Sequence, residues 1–453
     1  MTPPKPRARA EKVSLWRYLR LFRADILSAQ PERLYRAWMA EFRTPFFRSF
    51  MINDPALVAR VLRERPMDFP KSGRVGEGLR PLLGRSVFLT NGEVWRRQRR
   101  LIDPAFGGGR LRDTFPAMLG AARAMVERLP EGRVEIESEA SHVAADVIFR
   151  TLFSIPIEHA TARAVFDEFR AYQRTQPILN LGAFIPLPQW MPRFHRPAAR
   201  RAARRIRALI GGLVAERQRE ISEGTAPDDL ATKILTAVDP ETGDRFDRDE
   251  MVDQVAIFFL AGHETSASAL GWTLYLLATH PDWQRRMAEE ARAFMAAPEF
   301  AGLSRLRITR DVFREALRLY PPVPMMVRET MQDEALRDRA ARKGDLVVLS
   351  PWHLHRQNRL WDDPDAFDPA RWSTENGRRC AREAFIPFSA GPRVCTGAGF
   401  AMTEGVVLLA AILARFRVEP VEGRVPVLVA HLTVRARDGI WLTLEKRDDP
   451  ETF

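Results

Sequence analysis

Apolar residues recur at three- and four-residue intervals along most of the chain, the spacing that lays one face of an α-helix against a core. The pattern predicts helices over about 54–65, 93–101, 122–129, 198–220, 247–279, 309–320 and 399–416. Strand-like runs are short and few: 50–53, 346–350, and a pair at 432–435 and 440–444 that reads as a hairpin around Asp438-Gly439. The fold class is therefore mainly α with small β sheets (α+β). The 247–279 segment is the longest. It opens on Asp247-Arg248-Asp249-Glu250, a carboxylate cap with another acid three residues on, and stops before Pro281. At 1.5 Å per residue it is roughly 45–50 Å long, enough to cross a whole domain.

Bulk composition narrows this picture. A chain of 453 residues with 45% hydrophobic content can bury one large core, and no Gly/Ser tract, acidic tail or repeat divides it. One continuous catalytic domain over 1–453 is expected, with about 1–20 as a flexible leading segment. Two cysteines, Cys380 and Cys395, cannot build a secreted disulfide framework, and no apolar signal peptide follows Met1, which fits a soluble cytoplasmic protein. Trp16 to Arg23 alternates arginine with apolar residues too closely to span a bilayer, which takes about 20 predominantly apolar residues. Segment 258–278 has the length and apolarity, but Glu264 and His263 would sit in lipid, so it reads as a buried helix and no membrane span is expected. The net charge of +12 admits nucleic acid, an anionic membrane or an acidic protein as partner. Arginine far outnumbers lysine everywhere, including inside predicted helices, and no nucleic-acid motif accompanies the charge. Composition bias explains it, and no nucleic acid is expected.

The loop Phe388-Ser389-Ala390-Gly391-Pro392-Arg393-Val394-Cys395-Thr396-Gly397 runs into the 399–416 helix. Gly391 and Gly397 would let the backbone approach a ligand closely, and a cysteine beside a helix N-terminus gains thiolate character from unpaired N–H groups and the dipole. Such a thiolate suits a nucleophile or an iron ligand. A lone cysteine is more often a small buried hydrophobe, the reading that Cys380 keeps. Around Cys395, however, Phe-x-x-Gly-x-Arg-x-Cys-x-Gly resembles the haem-binding loop of the cytochrome P450 superfamily at every fixed position.

The resemblance runs from Trp95 to the C-terminal strands in the family's order. Glu315-Ala316-Leu317-Arg318 is similar to the family's Glu-x-x-Arg, and Arg371 in Pro369-Ala370-Arg371-Trp372 stands where the third member of its charge triad belongs, although Pro-Glu-Arg-Phe is commoner there. It implies a cytochrome P450 fold with haem b between the long central helix and the cysteine loop, and Cys395 as axial iron ligand. It further implies a buried structural network of Glu315, Arg318 and Arg371. Trp95 and Arg99, Arg393 and Arg328 would bind the propionates, since buried carboxylates need cations. Phe388, Gly391, Gly397, Ala261 and Gly262 would surround the macrocycle.

In Ala261-Gly262-His263-Glu264-Thr265 small residues would let a flat macrocycle lie against the helix, and Thr265 can bond back to the Ala261 carbonyl and bend it. An acid followed by an alcohol suits proton delivery during oxygen reduction, Thr265 as relay and Glu264 as the nearby carboxyl. The alternative for Glu264 is a buried acid paired with an arginine. His263 reads as polar packing rather than a ligand, and no second histidine lies one turn away for zinc. By position, Phe258, Phe259 and Ala261, then Val323, Met325, Met326 and Val327, and residues around 74–88 should line an apolar pocket. Segment 177–192 is packed or forms a substrate lip. Lys71, Arg74 and Arg80 read as solvated rather than as a clamp for a substrate carboxylate.

The implied reaction inserts one atom of dioxygen into an apolar substrate such as a fatty acid, terpenoid, steroid or aromatic. The length to Phe453 leaves no room for a fused reductase, so electrons would come from a ferredoxin or flavodoxin with an NAD(P)H-dependent reductase, acting on a monomer. The rivals are a peroxide-driven peroxygenase and a non-catalytic haem sensor. Glu264-Thr265 argues against both, because family peroxygenases tend to carry Arg-Pro there and a sensor needs no proton relay. Finally, roughly 100° per residue turns Arg97 and Arg100 away from the Trp95 and Arg99 face. Both are expected in solvent, forming with Arg378, Arg379 and Arg382 a basic docking face for an acidic ferredoxin.

Overall fold

The computed structural model describes residues 2–11, 13–44, 47–107, 109–175 and 197–447; segment 177–192 lies outside them. Eleven helices of nine or more residues carry the described fold: α1 (Leu15–Ala24), α2 (Gly92–Phe106), α3 (Arg110–Arg128), α4 (Ile136–Phe153), α5 (Ala160–Thr175), α6 (Pro197–Glu223), α7 (Arg248–Ala278), α8 (Pro281–Met295), α9 (Arg307–Leu319), α10 (Glu375–Glu383) and α11 (Ala398–Arg415). Helix α7 is the axis. Its capping box is complete, Asp247 accepting from the Glu250 N–H at 2.7 Å and Glu250 from the Asp247 N–H at 3.2 Å. It packs against α4, α6, α9 and α11, so apolar residues on nearly its whole circumference have partners.

Among the described residues four small sheets flank the helices. The largest orders β1 (Met39–Arg43), β2 (Arg48–Ile52), β7 (Leu346–Leu349) and β4 (Met326–Glu329), with only the β2–β7 pair parallel. The expected hairpin at 432–444 does not form. β10 (Val434–Ala436) pairs with β9 (Leu428–Ala430), and β11 (Trp441–Lys446) lies between β3 (Gly132–Glu135) and β8 (Phe416–Pro420). Gly439 does turn the chain at φ +75°, but an added Cβ would lie 2.7 Å from the Glu135 carboxylate. The turn is thus pressed onto β3, and distant strands satisfy both edges of β11.

Residues 2–11 lie against the body. Buried Tyr320 needs an acceptor and donates to the Pro4 carbonyl at 2.9 Å; Lys5 pairs with Asp365 at 2.6 Å; and the Arg9 N–H donates to Gln30 at 3.0 Å. Among the described residues one helix, α11, is long and apolar enough to cross a membrane, and its residues 404–414 are all buried in the core.

Candidate active site

One face of α7 stays open. Ala261 is exposed and Phe258, Gly262 and Thr265 are half-buried, at spacings of three and four on a helix whose other faces are covered. The stripe is thus accessible although it lies on the most central helix. Thr265 Oγ1 donates to the Ala261 carbonyl at 2.6 Å, as anticipated.

Two neighbours depart from expectation. Phe259 does not reach this face: it is 2% exposed, its ring 5.0 Å from Phe149 and 4.5 Å from Phe169 between centroids, because one residue along a helix turns it toward α4 and α5. Gly262 stays on the open stripe and is needed for helix packing as well, since an added Cβ would lie 2.9 Å from Ile148 of α4. Glu264 is buried and paired. It accepts from the Gln173 amide of α5 and from Thr433 at 3.2 Å, and Arg435 lies 3.4 Å away. Burial raises its pKa, against Arg435, Thr433 and Gln173, which lower it. His263 behaves as read: its Nε2 meets Ser141 at 2.6 Å, and burial, with Arg435 and Arg170, pulls its pKa down to about 3 and leaves it neutral.

The cysteine loop approaches from α11. The Cys395 N–H donates to Phe388 at 2.8 Å, which closes the loop, and half-buried Phe388 packs into the main core. Gly391 is required for another reason than ligand approach: its φ is +67°, and an added Cβ would lie 1.9 Å from the Leu62 carbonyl. Beside Gly397 there is open space. The Gly397 N–H and Arg99 both favour the thiolate of Cys395, yet burial outweighs them and raises the thiol pKa. As a metal ligand Cys395 would be held as the thiolate. Cys380 is buried, its Sγ 3.2 Å from the Leu360 carbonyl, a packing residue.

Next to this loop cations gather with few anions. The Lys71 ammonium lies 6.0 Å, Arg99 5.9 Å and Arg393 5.2 Å from the Trp95 ring centroid. Arg328 is buried beside them, its pKa lowered to about 10 by burial and by Arg393. Arg99 bonds Asp103 at 2.7 Å and the Val394 carbonyl at 2.8 Å, and Arg393 bonds the Phe69 carbonyl at 2.8 Å. Arg393 Nε is buried with no partner. The Lys71 ammonium donates to the Val87 carbonyl at 2.6 Å, where solvation was expected, and burial and the three arginines pull its pKa down to about 6. Arg74 and Arg80 do pair with surface acids, Glu329 at 4.0 Å and Glu77 at 3.3 Å.

The remaining predicted pocket residues divide. Val323 and Val327 stay half-buried, whereas Met325 packs into two core clusters and Met326 into the one behind β7, giving their side chains structural work. The charge triad forms in full. Glu315, fully buried, accepts from Arg318 at 2.8 and 2.9 Å and from Arg371 at 2.9 Å. The guanidinium of Arg318 also reaches the carbonyls of His355, Pro364 and Ala366, and that of Arg371 reaches Asp362 and Asp363. His355, which no motif points to, joins the triad to the segment before the cysteine loop: its Nε2 accepts from the Ile386 N–H at 2.9 Å.

An open helix face, one accessible cysteine and a cation cluster short of carboxylates fit a flat dianionic cofactor with an iron centre. The unpartnered Arg393 Nε and the cluster around Trp95 would hold its two carboxylates. No three His, Cys, Asp or Glu side chains gather as a metal set among the described residues, so Cys395 would be the sole protein ligand on its side. Comparison with known proteins agrees. The cytochrome P450 family model matches residues 35–440.

The chain belongs to the cytochrome P450 family. It is 35% identical over 395 residues, 85% of this chain and 83% of the relative, to cyclooctat-9-en-7-ol 5-monooxygenase of Streptomyces melanosporofaciens. It is 31% identical over 396 residues to human cytochrome P450 4F8, covering 81% of this chain and 75% of the relative. The crystal structure of the cytochrome P450DA heme domain superposes with a TM-score of 0.78 at 26% identity, over 92% of this chain and 91% of that one. This cytochrome P450 is accordingly a haem b monooxygenase, an oxidoreductase that needs dioxygen, an apolar substrate and a redox partner. Haem held by a cysteine thiolate supplies electron density that favours cleavage of the O–O bond.

Proposed function

We propose that this cytochrome P450 hydroxylates an apolar, terpenoid- or lipid-like molecule, with Cys395 as iron ligand and Trp95, Arg99, Arg328, Arg393 and Lys71 on the propionates. The carrying observation is the open α7 face, where Phe258 and Ala261 present hydrocarbon and the Thr265 hydroxyl is the main polar group. The Streptomyces relative named for a cyclooctatenol substrate supports a terpenoid scaffold. In this reading Thr265, half-accessible, holds and passes a proton at its Oγ1. Glu264 reaches it only after exchanging contacts with Gln173 and Arg435, so its carboxyl acts as a gated proton store.

Electrons come from a separate ferredoxin or flavodoxin with its NAD(P)H-dependent reductase, and the chain works as one catalytic unit, a monomer in the cytoplasm. The test is product formation from terpenoid and fatty-acid panels, preselected by the low- to high-spin shift of the haem. Turnover should require NAD(P)H, a surrogate ferredoxin and its reductase. Equal or better turnover with peroxide alone would replace this reading with the peroxygenase one, and no turnover by either route with a spin-shifting ligand would leave a sensor. Cys395→His should abolish the red-shifted Soret band of the ferrous CO complex, and Cys380→Ala should keep it.

A further inference from the structure

Helix α1 has the sequence Leu15-Trp16-Arg17-Tyr18-Leu19-Arg20-Leu21-Phe22-Arg23-Ala24, with no acid in it. Its inner side is anchored. Phe22 packs on the main core, Tyr18 and Leu19 are half-buried, and the Tyr18 and Phe22 rings lie 5.7 Å apart. Its C-terminal end is fixed to the body: Ile26 N–H donates to the Ala430 carbonyl at 3.0 Å, and the Ala430 N–H donates to Asp25 at 2.9 Å. The outer side is different in kind. Trp16 is 83% exposed, and Arg17, Arg20 and Arg23 are all exposed. None of the three arginines forms an ion pair with a described residue, and the nearest acid along the chain, Asp25, is buried and occupied by backbone N–H groups. At 100° per residue Trp16, Arg20 and Arg23 fall within about 60° of one another, and Arg17 lies about 60° beyond Arg20.

We propose that this face of α1 docks the protein on an anionic lipid bilayer, lying in the plane of the headgroups. An indole is suited to the interface between headgroup and acyl chain, and arginines around it match lipid phosphates. A single exposed apolar residue needs no explanation; here the largest one stands inside a cluster of unpaired cations on a rigidly held helix. The helix is too short and too charged to cross the bilayer. Docking is peripheral and reversible, and each arginine held at an anionic surface should strengthen it about fivefold.

The test is flotation of the haem-loaded enzyme with vesicles of phosphatidylcholine alone or mixed with phosphatidylglycerol. Binding should appear only with phosphatidylglycerol and weaken with salt. Arg17→Gln/Arg20→Gln/Arg23→Gln should lower the partition coefficient about a hundredfold, and Trp16→Ala should lower it at unchanged charge. Arg378→Gln/Arg379→Gln/Arg382→Gln, equal in charge but on α10, should bind like the unaltered protein. The ferrous CO spectrum of every variant shows that the fold is intact. Absence of binding to the anionic vesicles, an equal loss in the α10 variant, or an unaffected Trp16→Ala would each overturn the proposal, the first leaving an acidic protein as the occupant of this face.

Discussion

Glu404 sits nine residues beyond Cys395 on α11, fully surrounded by core, with Oε2 accepting from Ser266 at 2.6 Å and Oε1 buried without a partner. Burial raises its pKa to about 8, the Ser266 hydrogen bond opposing. An unfolded glutamate titrates near about 4.3, so between these values the folded protein keeps a proton that the unfolded chain has lost. This contribution to stability is fully present below about 4.3 and is lost as pH rises toward about 8. One proton corresponds to about 1.4 kcal/mol per pH unit, which makes the loss between about pH 5.5 and about pH 7.5 roughly 2–3 kcal/mol. Glu404→Gln removes it. The amide can still accept from Ser266 but brings an N–H₂ where no acceptor stands, a penalty that does not depend on pH. The observable is therefore a slope: in chemical unfolding of the haem-loaded proteins, the stability of Glu404→Gln relative to the unaltered protein should rise by that amount across the interval. Parallel pH profiles would show that Glu404 is ionised in the fold and that the reasoning is wrong.

Glu315→Ala leaves two buried guanidiniums without their carboxylate and should cost about 3–5 kcal/mol, visible as a lowered melting temperature and poor haem incorporation; a melting temperature near the original would refute the triad's structural role. Thr265→Ala should retain haem and substrate binding while diverting reducing equivalents to peroxide, so unchanged product per NAD(P)H would remove Thr265 from the relay. Lys71→Met takes from the cluster around Trp95 an amine that a bound propionate would hold protonated and should speed haem transfer to apomyoglobin several-fold, whereas an unchanged rate would place Lys71 outside the propionate site.

Periodicity located α2, α6 and α9, whose outer positions are polar enough to make the apolar stripe visible, but not α5 or α8. α4 and α7 are the instructive contrast. Both are buried on nearly every side, but α7 is bounded by a capping box and Pro281, whereas α4 begins on Glu135 directly out of β3 and its apolar residues blur any period. α3 was found only from 122 onward, since Pro116 lies inside its first half and reads as a break. Alternation revealed strands at 434 and 441 but not their partners, because half-burial is local while pairing with Leu428–Ala430 or Phe416–Pro420 is set by the whole fold. At the site, motif spacing reached Cys395, Trp95, Arg99 and the triad. Gln173 and Arg435 escaped because no spacing ties them to the residues they meet, and Lys71, singled out in the sequence, was read as solvated because nothing there shows that it meets the Val87 carbonyl and Trp95. Phe259 shows the opposite failure, since a neighbour of functional residues on a helix points elsewhere.

The docking face changes most when geometry replaces the helical wheel. Arg97 bonds Glu250 at 2.7 Å, the same carboxylate that caps α7, and Arg100 bonds Asp239 at 2.7 Å, with Glu93 and Glu241 beside it. These arginines are held by internal acids and present little free charge. Reversing Arg97 would set two carboxylates against each other at the start of the central helix, so any slowed reduction would report damage to α7 rather than a lost partner. Arg378, Arg379 and Arg382 on α10 are exposed and lie within 17 residues of Cys395 along the chain. Exposed Arg63 extends the group, its guanidinium donating to the Arg382 carbonyl at 3.3 Å. If an acidic ferredoxin docks there, Arg379→Glu should slow haem reduction several-fold at low salt, and the difference should vanish as the Debye length contracts to about 10 Å near 0.1 M. Substrate affinity should not move. Reduction rates that ignore both salt and the reversal would assign these arginines to solvent alone and send the search for the electron-entry surface elsewhere.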